Sequence, residues 1–256
     1  MQLRLAVQRA IKRVFGSMGL SVRYAHQHPN ITDPRIYSRW MAAPNVRCIF
    51  DVGANVGGMA QRFARSFPNA TVYSFEPFSA AYRRLKEVAD ASAGQIKVQQ
   101  VACGDEEGTL EVELRFASTA LYKLPRDRSV GHAVSGGVPR SWPTERITVV
   151  RLDRICAEQS IARIDIFKTD TEGYDAKVLA GAQEMLSNGR IRCVVAEIGF
   201  LDDPQHTDFT SVFTYLRQFG FELVGLYDVA YNFNLECCSA DAIFINRATG
   251  NGGGRA

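Results

Sequence analysis

The stretch Asp51-Val52-Gly53-Ala54-Asn55-Val56-Gly57-Gly58 joins a short apolar run to a helical pattern and puts glycine where a side chain would crowd a ligand. Gly53 permits a tight turn, and Gly57 lets a helix begin close to the strand. Glu76 follows 23 residues after Gly53, at the end of a second apolar run, where a carboxylate can accept both hydroxyls of a ribose. Together they describe a nucleoside-cofactor site built from Asp51, Gly53, Ala54, Asn55, Gly57 and Glu76. Structural turns use the same glycines, so the acid in register is what favours the ligand.

The details of the turn discriminate between cofactors. Position 55 is Asn, so the GxGxxG of dinucleotide enzymes is absent, and no Lys-Ser or Lys-Thr follows as in a P-loop. Asp51 lies where a pyrophosphate would be cradled. A carboxylate there repels phosphate and suits the cationic amino-acid end of S-adenosylmethionine.

A second group of polar residues ends the later strands. Asp170 and Glu172 close a strand expected at 164–169, with Lys168 on the same side as Asp170 by alternation, and Glu197 closes the strand expected at 191–198. Transfer of a group from a bound nucleoside cofactor to a weak nucleophile needs the accepting atom held in line and its proton removed. Asp170 is placed at the boundary of cofactor and acceptor, and Glu172 at acceptor binding or proton removal; its alternative is to cap the next helix. Glu197 divides between an acceptor contact and a buried salt bridge. His206, in the loop GFLDDPQHTD, is the best-placed histidine for a base, against a bland surface role. Ala102 and Cys103 are expected to line an adenine or simply to pack a strand. Asp170, Glu172, Glu197, Asp202 and Asp203 are oxygen-rich, but their spacing fixes no coordination geometry and no metal is assigned.

The elements that must position these residues alternate between short apolar runs and amphipathic helices, the pattern of an α/β, doubly wound Rossmann-like sheet. Strands are expected at 46–52, 70–75, 96–102, 164–169, 191–198, 221–227 and 240–246, with extended segments at 109–116 and 146–152. Helices carry Met59, Phe63 and Phe67; Ala81, Tyr82, Leu85 and Val88; residues 175–186; and Phe209, Val212, Phe213, Leu216 and Phe219, capped by Thr207 or Asp208. The last two strands have no helix between them, so the seventh runs antiparallel. Residues 117–144 form a long basic segment with Tyr122 and Trp142, read either as a lid or as a solvated insertion.

FDVGANVGG, SFEPF, VACGDEEGTLEV, VRLD, FKTDTEGYDAKVLAGA, VVAEIGF and ADAIFIN occur in order across residues 46–246. By these motifs the chain resembles the FkbM family of S-adenosylmethionine-dependent methyltransferases. The resemblance implies O-methylation of a sugar, lipopolysaccharide or polyketide-type hydroxyl. Thr169 and Thr171 replace the hydrophobic residues usual around the family's KxDxEG core, which predicts a more polar pocket and a different acceptor.

A chain of 256 residues with 46% apolar and 22% charged content buries a substantial core and needs no disulfide framework. The net charge of +3 is uneven: residues 1–32 carry +5 with no acid, leaving −2 for the rest. A nucleic-acid partner is therefore not expected of the body. Leu3, Val7, Ala10, Ile11, Val14, Phe15 and Met18 recur at helical spacing among basic residues. They mark an amphipathic N-terminal extension, residues 1–45, that docks on the body, lies on an anionic membrane through residues 1–20, or targets the chain. The domain then covers 46–247, with a disordered glycine-rich tail at 248–256. Six cysteines without CxxC spacing favour a reducing, cytoplasmic setting. Two rivals to an O-methyltransferase remain: a catalytically silent binding module of the same fold, and an NAD-dependent oxidoreductase, disfavoured by the turn.

Overall fold

Residues 30–41, 45–114 and 143–247 are described by the computed structural model. The expected N-terminal helix and its membrane contact, most of the 117–144 segment and the tail lie outside them. The principal sheet comprises β1 (Cys48–Val52), β2 (Thr71–Phe75), β3 (Ile96–Gln99), β7 (Ile164–Thr169), β8 (Ile191–Gly199), β9 (Phe221–Tyr231) and β10 (Cys237–Asn246). Its order is β3-β2-β1-β7-β8-β10-β9, parallel except for β10, which runs antiparallel to both neighbours. Strand order reverses between β1 and β7, and an open α/β sheet leaves a ligand crevice outside the strand ends at such a point.

Nearly continuous burial along β1, β7 and β8 follows from helices covering both faces. On one face Ile49, Val72, Ile166 and Val195 meet Phe63 and Ala60 of α2 (Gly58–Ser66) and Leu85 and Ala89 of α3 (Ser79–Asp90). On the other, Phe50, Phe167, Val194 and Phe244 meet α4 (Leu152–Glu158), α5 (Asp175–Ala180), α6 (Gln183–Ser187) and α7 (Phe209–Arg217). The result is three layers built on one sheet.

Three departures from the sequence expectations have physical causes. The run expected as a strand over 96–102 divides. Ala102–Cys103 forms β4, which pairs with β6 (Thr144–Val150) beside β5 (Gly108–Glu113) in a separate three-stranded sheet. Residues 175–186 form two short helices rather than one. The break lies at Gly181, where a Cβ would fall 2.1 Å from the Gly104 carbonyl oxygen, and Asp153 accepts the Glu184 and Met185 amides that begin the second helix. Leu152 starts a helix instead of ending a strand. Asp208 alone caps α7, accepting from the Ser211 amide at 2.8 Å, while Thr207 is used elsewhere.

The extension expected over 1–45 also needs a boundary moved. The described residues from Ile31 onward form one compact unit. Ile31, Ile36, Tyr37 and Met41, on and around α1 (Pro34–Trp40), belong to the same buried cluster as β1 and α2. Tyr37 is fully enclosed, meets Phe67 edge-on at 5.5 Å between ring centres, and donates its hydroxyl hydrogen to the Ile31 carbonyl. The cationic head gave no periodicity through this segment, so only packing reveals it. Tyr37→Ala should therefore cost about 3–5 kcal/mol of stability, and Tyr37→Phe about 1 kcal/mol. Urea unfolding checks both; a neutral Tyr37→Ala would return residues 31–41 to the extension.

Candidate active site

The turn after β1 is held by its own backbone. Gly53 and Ala54 both donate to the Phe75 carbonyl at 3.0 Å, Gly57 donates to Ala54 at 2.9 Å, and Asn55 donates to Glu76 Oε2 at 2.8 Å. Those four amides are spent inside the protein and are not available to a phosphate. Glu76 accepts the Phe78 amide on its other oxygen at 2.9 Å and is nearly buried, which raises its pKa. Each of its oxygens keeps a second lone pair.

Gly53 has another reason to lack a side chain. At φ +80° its Cβ would stand 1.8 Å from the Asp170 carbonyl oxygen, so the β1 turn and the β7 end touch backbone to backbone. Gly57, at φ +88°, faces Leu85 and Val88 of α3; its role is helix packing rather than ligand approach.

Asp51 and Lys168 are register partners on β1 and β7, and both are buried. The Lys168 ammonium lies 3.6 Å from Asp51 Oδ1 and 3.0 Å from Asp170 Oδ2. Both Asp51 oxygens lack a hydrogen-bond partner, and burial raises its pKa against the opposing pull of Lys168. This is a carboxylate with unused acceptor capacity beneath the turn, so the residues present fit a cationic cofactor group better than an anionic one.

Asp170, Glu172, Glu197 and His206 come together at the strand ends. His206 Nε2 is 3.7 Å from Glu197 Oε1, and its Nδ1 is 3.1 Å from Asp203 Oδ2. Burial and the charge of Asp170 push the Glu197 carboxyl up to about 9, toward its protonated form. Glu172 is half-buried, with its pKa raised by burial and by Asp170. It does not cap α5: the N-cap is Tyr174, without a side-chain bond. Its φ of +52° is a left-handed conformation costing about 1–2 kcal/mol for a residue with a Cβ, and such strain persists where surrounding structure enforces it.

Bare backbone brings these loops into contact. A Cβ on Gly173 would lie 2.4 Å from the Pro204 carbonyl, and one on Gly199 would lie 2.7 Å from the His206 Cβ. Both glycines stand in the motifs EGYD and AEIGF, a signal for loop contact that spacing alone does not interpret. Asp175 is a residue the sequence reading missed. Fully buried, it accepts from the Thr169 hydroxyl at 2.6 Å, the Thr171 amide at 3.2 Å and the Thr207 hydroxyl at 3.3 Å. The Thr169 hydroxyl thus locks the turn instead of making the pocket more polar, as was expected of it. Asp241, also missed, stands opposite Glu197 on β10, and burial lifts it to about 6.

The remaining expected residues lie apart or at the rim. Ala102 and Cys103 are enclosed in and beside the second sheet, paired with Val149 and Val150. Asp202 is exposed. Among the described residues no three His, Cys, Asp or Glu side chains are arranged to hold a metal ion. The six cysteines are free thiols, and burial pushes Cys48 and Cys156 up to about 12.

The Glu197 shift carries a stability consequence. A carboxyl whose folded pKa lies above its unfolded value stabilises the fold at low pH and loses that contribution as pH rises from the ordinary carboxylate range toward 9. Glu197→Gln, which mimics the protonated form, should match the native protein near pH 4 and exceed its stability at pH 8. Thermal unfolding at the two pH values checks this; equal stability at pH 8 would place Glu197 as an ordinary anion.

Residues 51–223 match the model for the methyltransferase FkbM domain. The chain is 31% identical over 201 residues to the 31-O-demethyl-FK506 methyltransferase FkbM of Streptomyces tacrolimicus, covering 70% of this chain and 74% of that protein. It is 26% identical over 147 residues to the 2-O-methyltransferase NoeI of Sinorhizobium fredii (strain NBRC 101917 / NGR234), covering 56% of this chain and 60% of the relative. Among solved structures, methyltransferase FkbM from Methylobacillus flagellatus KT superposes with a TM-score of 0.52 at 15% identity; 82% of this chain covers half of that one, a likeness of fold. A turn that refuses phosphate, an acid in register at Glu76, the reversed last strand and a family match over two-thirds of the sequence lead to one conclusion: the chain belongs to the FkbM family of methyltransferases.

Proposed function

We propose that this S-adenosylmethionine-dependent methyltransferase acts on a hydroxyl oxygen of a sugar, glycan or secondary metabolite. The observation that carries the proposal is the convergence of Asp170, Glu172, Glu197 and His206 beside the β1 turn. Two relatives described above, a 31-O-demethyl-FK506 methyltransferase and a 2-O-methyltransferase, support oxygen as the accepting atom.

S-adenosylmethionine, when bound, supplies an electrophilic methyl group on a sulfonium. The chain's own residues do the rest. Beside its ion pair with Lys168, Asp51 offers to an ammonium carboxylate oxygens that accept no hydrogen bond, and Glu76 offers its free lone pairs to ribose hydroxyls. Gly53, Ala54, Asn55 and Gly57 shape the turn. Asp170 borders cofactor and acceptor, and Glu172 holds the acceptor hydroxyl.

A hydroxyl is a weak nucleophile at neutral pH, so a base within hydrogen-bond reach is required. Asp203 accepts from His206 Nδ1–H, which leaves Nε2 as the proton acceptor, facing Glu197. His206 therefore removes the proton while Glu172 orients the oxygen. Calorimetry should detect binding of S-adenosylmethionine and S-adenosylhomocysteine but not NAD; no affinity for either sulfur compound would sink the proposal. Against a panel of hydroxylated sugars and macrolides, His206→Asn should lower turnover by about 10²–10⁴-fold. Glu172→Gln should lower turnover more than cofactor affinity. An unchanged rate in either variant removes that residue from proton transfer.

A further inference from the structure

Four adjacent strands each point one ionisable side chain to the same face of the sheet: Asp51 on β1, Lys168 on β7, Glu197 on β8 and Asp241 on β10. With Asp170 at the end of β7, three carboxyl groups, those of Asp51, Asp170 and Asp241, face the Lys168 ammonium, whose side chain is 2% exposed. A lysine so enclosed persists only when it is paired. Its two closest partners belong to different halves of the site. Asp51 lies under the turn assigned to the cofactor, and Asp170 lies beside the groups assigned to the acceptor.

We propose that Lys168 is a positioning residue: its ammonium bridges Asp51 and Asp170 and keeps Asp170 an anion, which leaves His206 to receive the acceptor's proton. The last clause rests on the methyl-transfer function proposed above; the bridge itself does not.

The surroundings of each group agree. Asp170 faces Lys168, Glu197 and His206, and the Lys168 ammonium with its hydrogen bond holds its pKa below the ordinary value despite burial. Glu197 faces Asp170, Asp175 and Glu172, with His206 at 3.7 Å, and is pushed toward its protonated form. Lys168 faces Asp170, Asp51 and Asp241, which together outweigh its desolvation and raise its pKa. An ammonium 3.0 Å from the Asp170 carboxylate favours its ionised form.

The test is a carboxyl-carbon NMR titration of the cofactor-free protein, native and with Lys168→Met, an uncharged side chain of similar length. Native Asp170 should titrate below the ordinary aspartate range, with Glu197 protonated through neutrality. In Lys168→Met, Asp170 should rise by about one pH unit or more, a tenfold gain in proton affinity. Lys168→Gln, which retains a donor, should move it in the same direction. In turnover, kcat should fall more than acceptor KM changes, and its acid limb should move to higher pH. An Asp170 titration unmoved in a folded variant would reduce Lys168 to a structural counter-ion and overturn the proposal. Should both variants fail to fold, ¹⁵N titration of Lys168 in the native protein decides: deprotonation at or below the usual lysine value of about 10.4 overturns it. No turnover by the native protein with any hydroxyl acceptor, alongside the expected titrations, would count against the O-methylation function and leave the bridge standing.

Discussion

An ammonium buried in the middle of a sheet must be neutralised where it stands, and the arrangement of this molecule follows from how Lys168 is neutralised. Its partners are carboxylates on the neighbouring strand and at its own strand end, so β1 and β7 have to lie in register with Asp51 opposite Lys168. A slip of one residue would turn the lysine into the apolar cluster on the other face and leave Asp51 facing hydrocarbon. The charge pair is therefore as strong a constraint on strand alignment as the packing of Ile49 against Ile166 on the same face.

With β1 and β7 fixed side by side, their outgoing loops occupy almost the same space. Backbone without side chains resolves the crowding. Gly53 passes against the Asp170 carbonyl, Gly173 against Pro204, and Gly199 against His206. Each contact brings a functional side chain within reach of the next. Asp175 then ties the end of β7, the turn carrying Glu172 and the segment preceding α7 through three hydrogen bonds, so the positions of Glu172 and His206 are set by one buried carboxylate. Strain at Glu172 is sustained by this surrounding network.

The same economy explains the selectivity of the turn. In a phosphate-binding loop the amide hydrogens point outward to the anion. Here the amides of Gly53, Ala54, Asn55 and Gly57 point inward to Phe75, Ala54 and Glu76, and the open capacity lies on carboxylates. The site's unmatched charge is negative, which suits a cationic methyl donor. The fold is common to many activities; the direction in which these few groups point is what narrows the chemistry.

The sequence alone determined the alternation of strands and helices, the reversed final strand, the turn at Asp51–Gly57 with Glu76 in register, and the membership of Asp170, Glu172 and His206 in one region. These are properties of local period, of glycine geometry and of motif order, all written within short windows. Tertiary structure alone decided the rest. The strand expected over 96–102 divided because its second part found a partner 47 residues later in β6. Residues 31–41 joined the core because Tyr37 fits beneath β1 and α2, a contact no periodicity announces. Glu172 was not a helix cap, Thr169 turned its hydroxyl to Asp175, and Asp241 came to face Glu197 from a strand 44 residues away. Protonation state and pairing depend on burial and on the distance to charges from other strands, and both exist only after the sheet has formed.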